Sequence, residues 1–336
     1  MNTPLVTVCT PTYNRPEFLE RTLRSCLAQT YTNFELIVTD NSTNDLSGKM
    51  IERLGDPRIR YYKNPKNLGP CGNSNRALTL VKGKYIKYLM DDDLIKPRCL
   101  ELMVDAFEKH PSAGVVMAPM ELIDADDKRI YPKFYGFRTM TYRYRYQVGD
   151  GLIPKEKILR DFLTVDYPCC VPSGMMFRAE IFKKFGEFDE AADFGGDLDK
   201  CMQIATEYDF FYIDEVLCSW RHMLTNHTGS LHQKGLKISV FYYLTRKLFK
   251  ETRALELFPP QEREKLIRDA IYFSSCRAML NGMAAIRAKS PKLMIETIKT
   301  IFREDPYFIN KLRLPLFAFR EVWVSLFPKK LPPARE

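Results

Sequence analysis

The chain is expected to be an α/β protein with a doubly wound, mainly parallel sheet and a basic helical C-terminal region. Apolar, β-prone runs alternate with helix-length segments over the first hundred or so residues. The run Lys84–Met90 ends in three consecutive carboxylates, Asp91-Asp92-Asp93. From Ser239 onward strand signals give way to helical spacing and basic side chains. Strands separated by helices of this length imply a parallel sheet with helices on both faces. In such sheets ligands bind just beyond the carboxyl ends of the strands.

Leu5 to Cys9 is the first predicted strand. Asn14 is placed to cap a helix with Pro16 in its first turn, and Leu19, Leu23, Cys26 and Leu27 recur at helical spacing. Phe34 to Thr39 reads as the second strand and Arg58 to Lys63 as a short third. Gly69 to Val81 reads as a helix, Tyr85 to Met90 as the fourth strand, Pro97 as a helix start and Gly114 to Ala118 as a further strand. After Pro119 the pattern loosens. Tyr142 to Tyr146 alternates Tyr and Arg, which suits a surface hairpin, a strand lining an acceptor site or a nucleic-acid contact. Gly195-Gly196 precede a helix whose apolar face is Leu198, Cys201, Met202 and Ala205, and Phe210 to Ile213 is a later strand.

With 336 residues, 45% hydrophobic and 28% charged, the chain can bury a full core. No leader pattern precedes Val6, and no apolar run is long enough to span a bilayer. Nine cysteines, two of them the adjacent pair Cys169-Cys170, show no metal-type spacing and read as reduced thiols of a cytoplasmic protein. The net charge of +9 is uneven: Leu231 to Glu336 holds 21 Lys+Arg against 10 Asp+Glu, and the remainder 30 against 32. The basic excess therefore belongs to the C-terminal third, which suits a nucleic-acid protein or one that rests on an anionic membrane surface. Leu312, Leu316, Phe319, Trp323 and Leu326 share one helical face ahead of Lys329-Lys330, a pattern for interfacial docking or for packing against the core or a second copy.

Three like charges at a strand end repel unless a cation sits among them. Hard oxygen ligands suit Mg²⁺ or Mn²⁺, commonly bridged to a substrate phosphate. An acidic turn ahead of a helix is the plainer reading of the triplet taken alone. The flanking motifs weigh against it. They are Thr10-Pro11-Thr12-Tyr13-Asn14-Arg15, Gln29-Thr30-Tyr31, Phe34 through Asp40-Asn41-Ser42-Thr43, Asn67-Leu68-Gly69-Pro70 with Asn75, and Gly83-Lys84-Tyr85-Ile86 leading into the triplet. In this order they resemble the nucleotide-sugar-binding half of family 2 glycosyltransferases, which have the GT-A fold. A second block, Val171 to Arg178 and on through Gly186-Glu187-Phe188-Asp189-Glu190 to Asp197-Leu198-Asp199, resembles the acceptor half.

The resemblance implies a glycosyltransferase domain over 1–230, with a donor half at 1–118 and an acceptor half at 119–230, followed by the helical region 231–336. It implies an inverting transfer from a UDP- or dTDP-linked sugar to a hydroxyl of a glycan or lipid-linked glycan, assisted by Mn²⁺ or Mg²⁺. Pro11, Tyr13 and Arg15 would lie on the donor loop, with the Tyr13 ring stacking on the base. Asp40 would accept the imide N–H of the base. Asn67 and Asn75 would sit near the diphosphate, Asp91 at the ribose and Asp92 at the metal, with Asp93 and His222 as further ligands. Asp197 would be the general base, with Asp199 as the alternative. Departures are Thr39 and Gly196 where the family is usually acidic, Met90 where it often is, and Ser74 where an Arg is common. They leave open a rival reading, a catalytically degenerate GT-A domain serving as a membrane or nucleic-acid adaptor. A sugar-nucleotide pyrophosphorylase would need a Gly-rich basic phosphate loop, which Thr10 to Arg15 is not. No nucleic-acid partner is expected.

Overall fold

A computed structural model describes residues 5–130, 149–164, 172–223, 239–287 and 291–306. The Tyr142–Tyr146 alternation, the adjacent cysteines and the 312–327 apolar face lie outside these residues.

The chain begins β1 (Val6–Thr12), α1 (Pro16–Leu27), β2 (Phe34–Asp40), α2 (Leu46–Leu54), β3 (Ile59–Lys63), α3 (Gly69–Leu78) and β4 (Tyr85–Tyr88). It continues through β5 (Leu94–Ile95), α4 (Cys99–Lys109), β6 (Ala113–Met117), β7 (Met120–Ile123) and β8 (Arg129–Ile130). Then come β9 (Gly151–Ile153), α5 (Lys155–Thr164), β10 (Met175–Arg178), α6 (Ala179–Phe185), α7 (Gly196–Ile204), β11 (Asp209–Tyr212) and β12 (Cys218–Arg221). Helices α8 (Ser239–Glu251), α9 (Pro260–Arg287) and α10 (Pro291–Glu304) follow.

An eight-stranded sheet runs β3-β2-β1-β4-β10-β6-β11-β9. The first four strands are parallel. Their carboxyl ends meet one edge, where Thr12 lies beside Asp40 and Cys9 beside Tyr88. The order 3-2-1-4 makes β1–β4 the switch point, where successive crossovers leave in opposite directions and open a crevice. The core fills both faces of this sheet. Leu19 and Leu23 of α1 and Met103 and Phe107 of α4 pack on one, and Leu198 and Met202 of α7 on the other.

Several expectations shift. Asn14 is not the helix cap: α1 starts after Arg15, with Pro16 in its first turn, and Asn14 takes a left-handed backbone (φ 52°) while its Oδ1 accepts from Thr43 N. The third helix stops at Leu78, short of Val81, and Pro97 precedes its helix by a turn, since α4 begins at Cys99. Beyond Pro119 the loose pattern conceals short strands. Strand β10 inserts antiparallel between β4 and β6, and β5-β12-β7-β8 forms a second, four-stranded sheet. Apart from β11, which matches the predicted run Phe210 to Ile213, these two-to-four-residue strands carry no readable alternation and long-range pairing reveals them. The two predicted halves share the large sheet.

Candidate active site

The acidic triplet occupies the turn between β4 and β5 at the switch-point edge. Asp91 faces the β1 loop: its Oδ2 accepts from Thr12 Oγ1 at 2.7 Å and from Tyr13 N at 3.3 Å. A single nitrogen, Arg15 Nη1, lies 3.4 Å from Asp91 Oδ1 and 3.0 Å from Asp92 Oδ2. The two carboxylates therefore converge on one cation position. Burial pushes the pKa of Asp91 up, with Arg15 pulling against it. Burial and the neighbouring Asp93 and Asp91 charges push Asp92 well up.

Asp93 turns the other way. It is fully buried, and its Oδ1 accepts from Arg221 N at 2.9 Å. Its backbone carbonyl takes Thr22 Oγ1 at 2.8 Å, and burial raises its pKa to about 7. This residue braces the turn from beneath. Arg221, also fully buried, donates Nε to the Asp92 carbonyl at 2.7 Å and reaches the Asp124 carbonyl and the Asp127 carboxylate. It thus clamps the acidic turn to the β7–β8 hairpin. His222 donates its backbone N–H to the Ile123 carbonyl, packs its ring edge-on against Trp220 and has its pKa lowered by burial.

The loop after β1 presents Tyr13, 45% exposed, above the Asp91 contact. Pro11 is the penultimate residue of β1 and pairs in register with Thr39. Asp40 ends β2 as expected but is fully buried, and both its oxygens are engaged. Oδ1 accepts from Ser42 N at 2.6 Å and Oδ2 from Tyr61 OH at 2.7 Å. Here it shapes the β2 loop, and no oxygen faces solvent. Asn67 is exposed and forms an Asx turn, accepting Gly69 N at 2.8 Å. Gly69 has φ +76°, a conformation that side chains disfavour, which suits the sharp entry to α3.

Asn75, expected near the diphosphate, staples α3 to the segment before α7: Nδ2 donates to the Phe188 carbonyl and Oδ1 accepts Phe188 N, each at 2.9 Å. Ser74 and Arg76 serve α3 locally, through the Pro70 carbonyl and Thr79. The residue that joins α3 to the site is Asn73, whose Nδ2 donates to the Thr12 carbonyl at 3.1 Å and whose Oδ1 accepts from Asn64 at 2.8 Å. Asn64 also donates to Asn41, which holds Leu68 N and the Gly69 carbonyl. This buried asparagine network was missed from sequence. Its only local signal was the density of Asn between residues 41 and 75.

Asp197 stands in the first turn of α7, as predicted. A Cβ on Gly196 would lie 3.5 Å from Cys71 Sγ, so the start of α7 rests against the start of α3 at the same end of the sheet. Leu198 N donates to Asp197 Oδ1 at 2.8 Å. Burial, opposed only by backbone N–H groups, lifts the pKa of Asp197 to about 7. Asp199 faces elsewhere, as its spacing implies: it is 2% exposed and pairs with Lys247 of α8 at 2.8 Å. Lys247 also reaches Asp189 at 2.5 Å, so the C-terminal region grips both flanks of the Asp197 segment.

Among the described residues no group of three or more His, Cys, Asp or Glu is arranged to hold a metal. The Asp91–Asp92 pair does fit one. Mg²⁺-type ions are usually held by one or two carboxylates and complete their shell with substrate phosphates and water.

Solved structures share this architecture. Residues 1–349 of TarS from S. aureus superpose with a TM-score of 0.63 at 14% identity, covering 96% of this chain and 87% of that one. The mannosyltransferase PcManGT from Pyrobaculum calidifontis, in complex with GDP-Man and Mn²⁺, gives 0.58 at 17% identity, covering 98% and 89%. The fold is that of the GT-A glycosyltransferases. The model for glycosyl transferase family 2 matches residues 7–186, and the chain belongs to that family. An uncharacterized glycosyltransferase of Methanocaldococcus jannaschii is 31% identical over 253 residues, 73% of this chain and 79% of the relative. One from Rickettsia typhi is 27% identical over 311 residues, 92% of each. The protein is a nucleotide-sugar-dependent glycosyltransferase.

Proposed function

We propose that the enzyme transfers a sugar, with inversion, from a UDP- or dTDP-linked donor to a hydroxyl of a glycan or lipid-linked glycan, in polysaccharide or glycoconjugate assembly. The observation that carries this reading is the convergence of Asp91 and Asp92 on one cation position beneath Tyr13, at the switch point of the sheet. Tyr13 is exposed enough to stack on the base. Asp92, with Asp91, would hold Mn²⁺ or Mg²⁺, and such an ion would offset the charge building on the departing diphosphate. Asp93 and Asp40 hold the turns that carry these groups. His222, next to the Arg221 that braces Asp93, stays the candidate further ligand. The related TarS 1–349 structure in complex with UDP-GlcNAc supports a nucleotide-sugar donor (TM-score 0.55, 14% identity).

Asp197 takes the proton of the acceptor hydroxyl as its oxygen attacks the anomeric carbon and the diphosphate leaves on the opposite side. A carboxylate raised to about 7 is well matched to that task near neutral pH. Its place at the start of α7, against α3, supports the role. Residues 1–118 supply the donor loops and 119–230 the acceptor half.

The basic C-terminal third supports peripheral contact with the anionic cytoplasmic face of a membrane. Helix α10 exposes Ile295, Ile298 and Phe302 beside Lys299 and Arg303, and no helix of the described residues is long and apolar enough to cross a membrane.

Thermal unfolding with UDP, Mn²⁺ and both tests the donor site. A ligand present at about 100 times its Kd stabilises by about 2.7 kcal/mol. UDP with Mn²⁺ should raise Tm beyond UDP alone, and Asp92→Asn should abolish that increment. An equal Mn²⁺ increment in variant and parent would refute the metal assignment, and no response to UDP would favour a degenerate adaptor.

A further inference from the structure

We propose that Arg15 is the resident counter-ion of Asp91 and Asp92, and that a divalent metal displaces it only as a nucleoside diphosphate takes the guanidinium over. This rests on the donor-site reading above. The oxygens Arg15 touches are the ones a metal needs. Asp91 Oδ2 is already committed to Thr12 and Tyr13, so Asp91 Oδ1 is the oxygen it offers a metal, and Nη1 of Arg15 sits between that oxygen and Asp92 Oδ2. A metal bound at about 2.0–2.2 Å from those oxygens would share the guanidinium's place, and two cations cannot occupy it together.

The geometry supplies the exchange. Arg15 is the residue just before α1, and its side chain is 25% exposed against 10% and 9% for the two aspartates, so it reaches inward from the crevice side. Its contacts with the carboxylates run through Nη1 alone; among the described residues Nε and Nη2 have no protein partner. A guanidinium is a fork suited to bidentate contact with phosphate oxygens. Half of that fork is unspent at the mouth of the crevice. When a metal arrives alone, Arg15 must leave two carboxylates for water. When metal and diphosphate arrive together, Arg15 trades carboxylate oxygens for phosphate oxygens, and the metal takes the vacated pair. Binding of each therefore favours the other, and such coupling is reciprocal, commonly about 5- to 150-fold.

Calorimetric titrations of Mn²⁺ alone, UDP alone and each in the presence of the other test this in the full chain. The parent should bind Mn²⁺ alone weakly and tighten in UDP. Arg15→Gln should bind Mn²⁺ alone more tightly than the parent, and the mutual enhancement should shrink by a factor within the same range of about 5 to 150. Arg15→Lys keeps the charge and loses the fork, so it should fall between the two. A folded Arg15→Gln that binds Mn²⁺ alone no more tightly than the parent overturns the proposal. Should Arg15→Gln not fold, Arg15→Lys with the parent's full enhancement overturns it. If the parent shows no mutual enhancement, the metal reading of the donor site fails and the exchange falls with it. Parental enhancement that survives in Arg15→Gln refutes the exchange alone.

Discussion

Replacing Lys247 with Met should destabilise the protein through a carboxylate in another element. Lys247 Nζ lies 2.8 Å from Asp199 and 2.5 Å from Asp189, with side-chain exposures of 12%, 2% and 22% respectively. Asp189 keeps Tyr243 OH and Ala191 N and is partly wet, so its loss is small. Asp199 keeps the Gln203 amide at 2.8 Å and the charge of Lys200. Orphaning a buried charge costs about 3–5 kcal/mol, and the remaining hydrogen bond argues for the lower end. At about 2.1 cal/mol/K of unfolding entropy per residue over 336 residues, about 3 kcal/mol lowers Tm by about 4 °C. The pH dependence follows from the signs. Burial already raises the pKa of Asp199, and losing Lys247 raises it further. The folded variant then holds a proton that the unfolded chain releases above about pH 4, so the deficit grows as pH rises from there and shrinks below it. Burial opposes the Lys247 charge, but Asp189 and Asp199 outweigh it and raise the pKa. Its contribution is thus intact at neutral pH and is lost only as pH climbs above about 10.4. Melting curves of Lys247→Met, Asp199→Asn and the double variant at pH 7 and pH 4 decide the matter. The double variant should recover most of the loss, because the fully buried carboxylate that lost its lysine is then neutral and Asp189 is partly wet. A single variant within about 1 °C of the parent at pH 7 would refute the reasoning.

Asp197→Asn should leave UDP affinity near that of the parent and cut turnover by roughly 10²–10⁴-fold; if most turnover survives, Asp199 becomes the residue to replace. In the parent, kcat/KM should rise with pH to a limb near 7, because burial holds the Asp197 carboxyl protonated below that value, and a profile flat from pH 5 to 8 would contradict the assignment. The intact protein should bind anionic liposomes more weakly as salt rises, and a chain ending before Lys311 should bind them more weakly still while keeping UDP affinity. Truncation that unfolds the protein, or leaves liposome binding unchanged, would end the membrane reading.

The donor half was legible because its signals are local. Strands β1, β2 and β4 are buried runs rich in β-branched and aromatic residues, and Asp91-Asp92-Asp93 follows β4 after Leu89-Met90. The apolar stripe Leu198, Cys201, Met202 and Ala205 is buried throughout, as its helical spacing implied. What tertiary structure decided was the direction and occupation of each polar group. Asn75 meets Phe188 across 113 residues of chain, Asp93 meets Arg221 across 128, and Asp199 meets Lys247 across 48. Nothing in the sequence around Asp40 shows that both its oxygens are spent. The short β10, wedged antiparallel into a parallel sheet, is likewise recognisable only from its neighbours. Spacing along the chain determines which face of an element is apolar, since that follows from a fixed period. The partner of a buried carboxylate or amide depends on which distant segment the fold lays against it, and the cost of leaving such a group unpaired settles that choice only once the chain is folded.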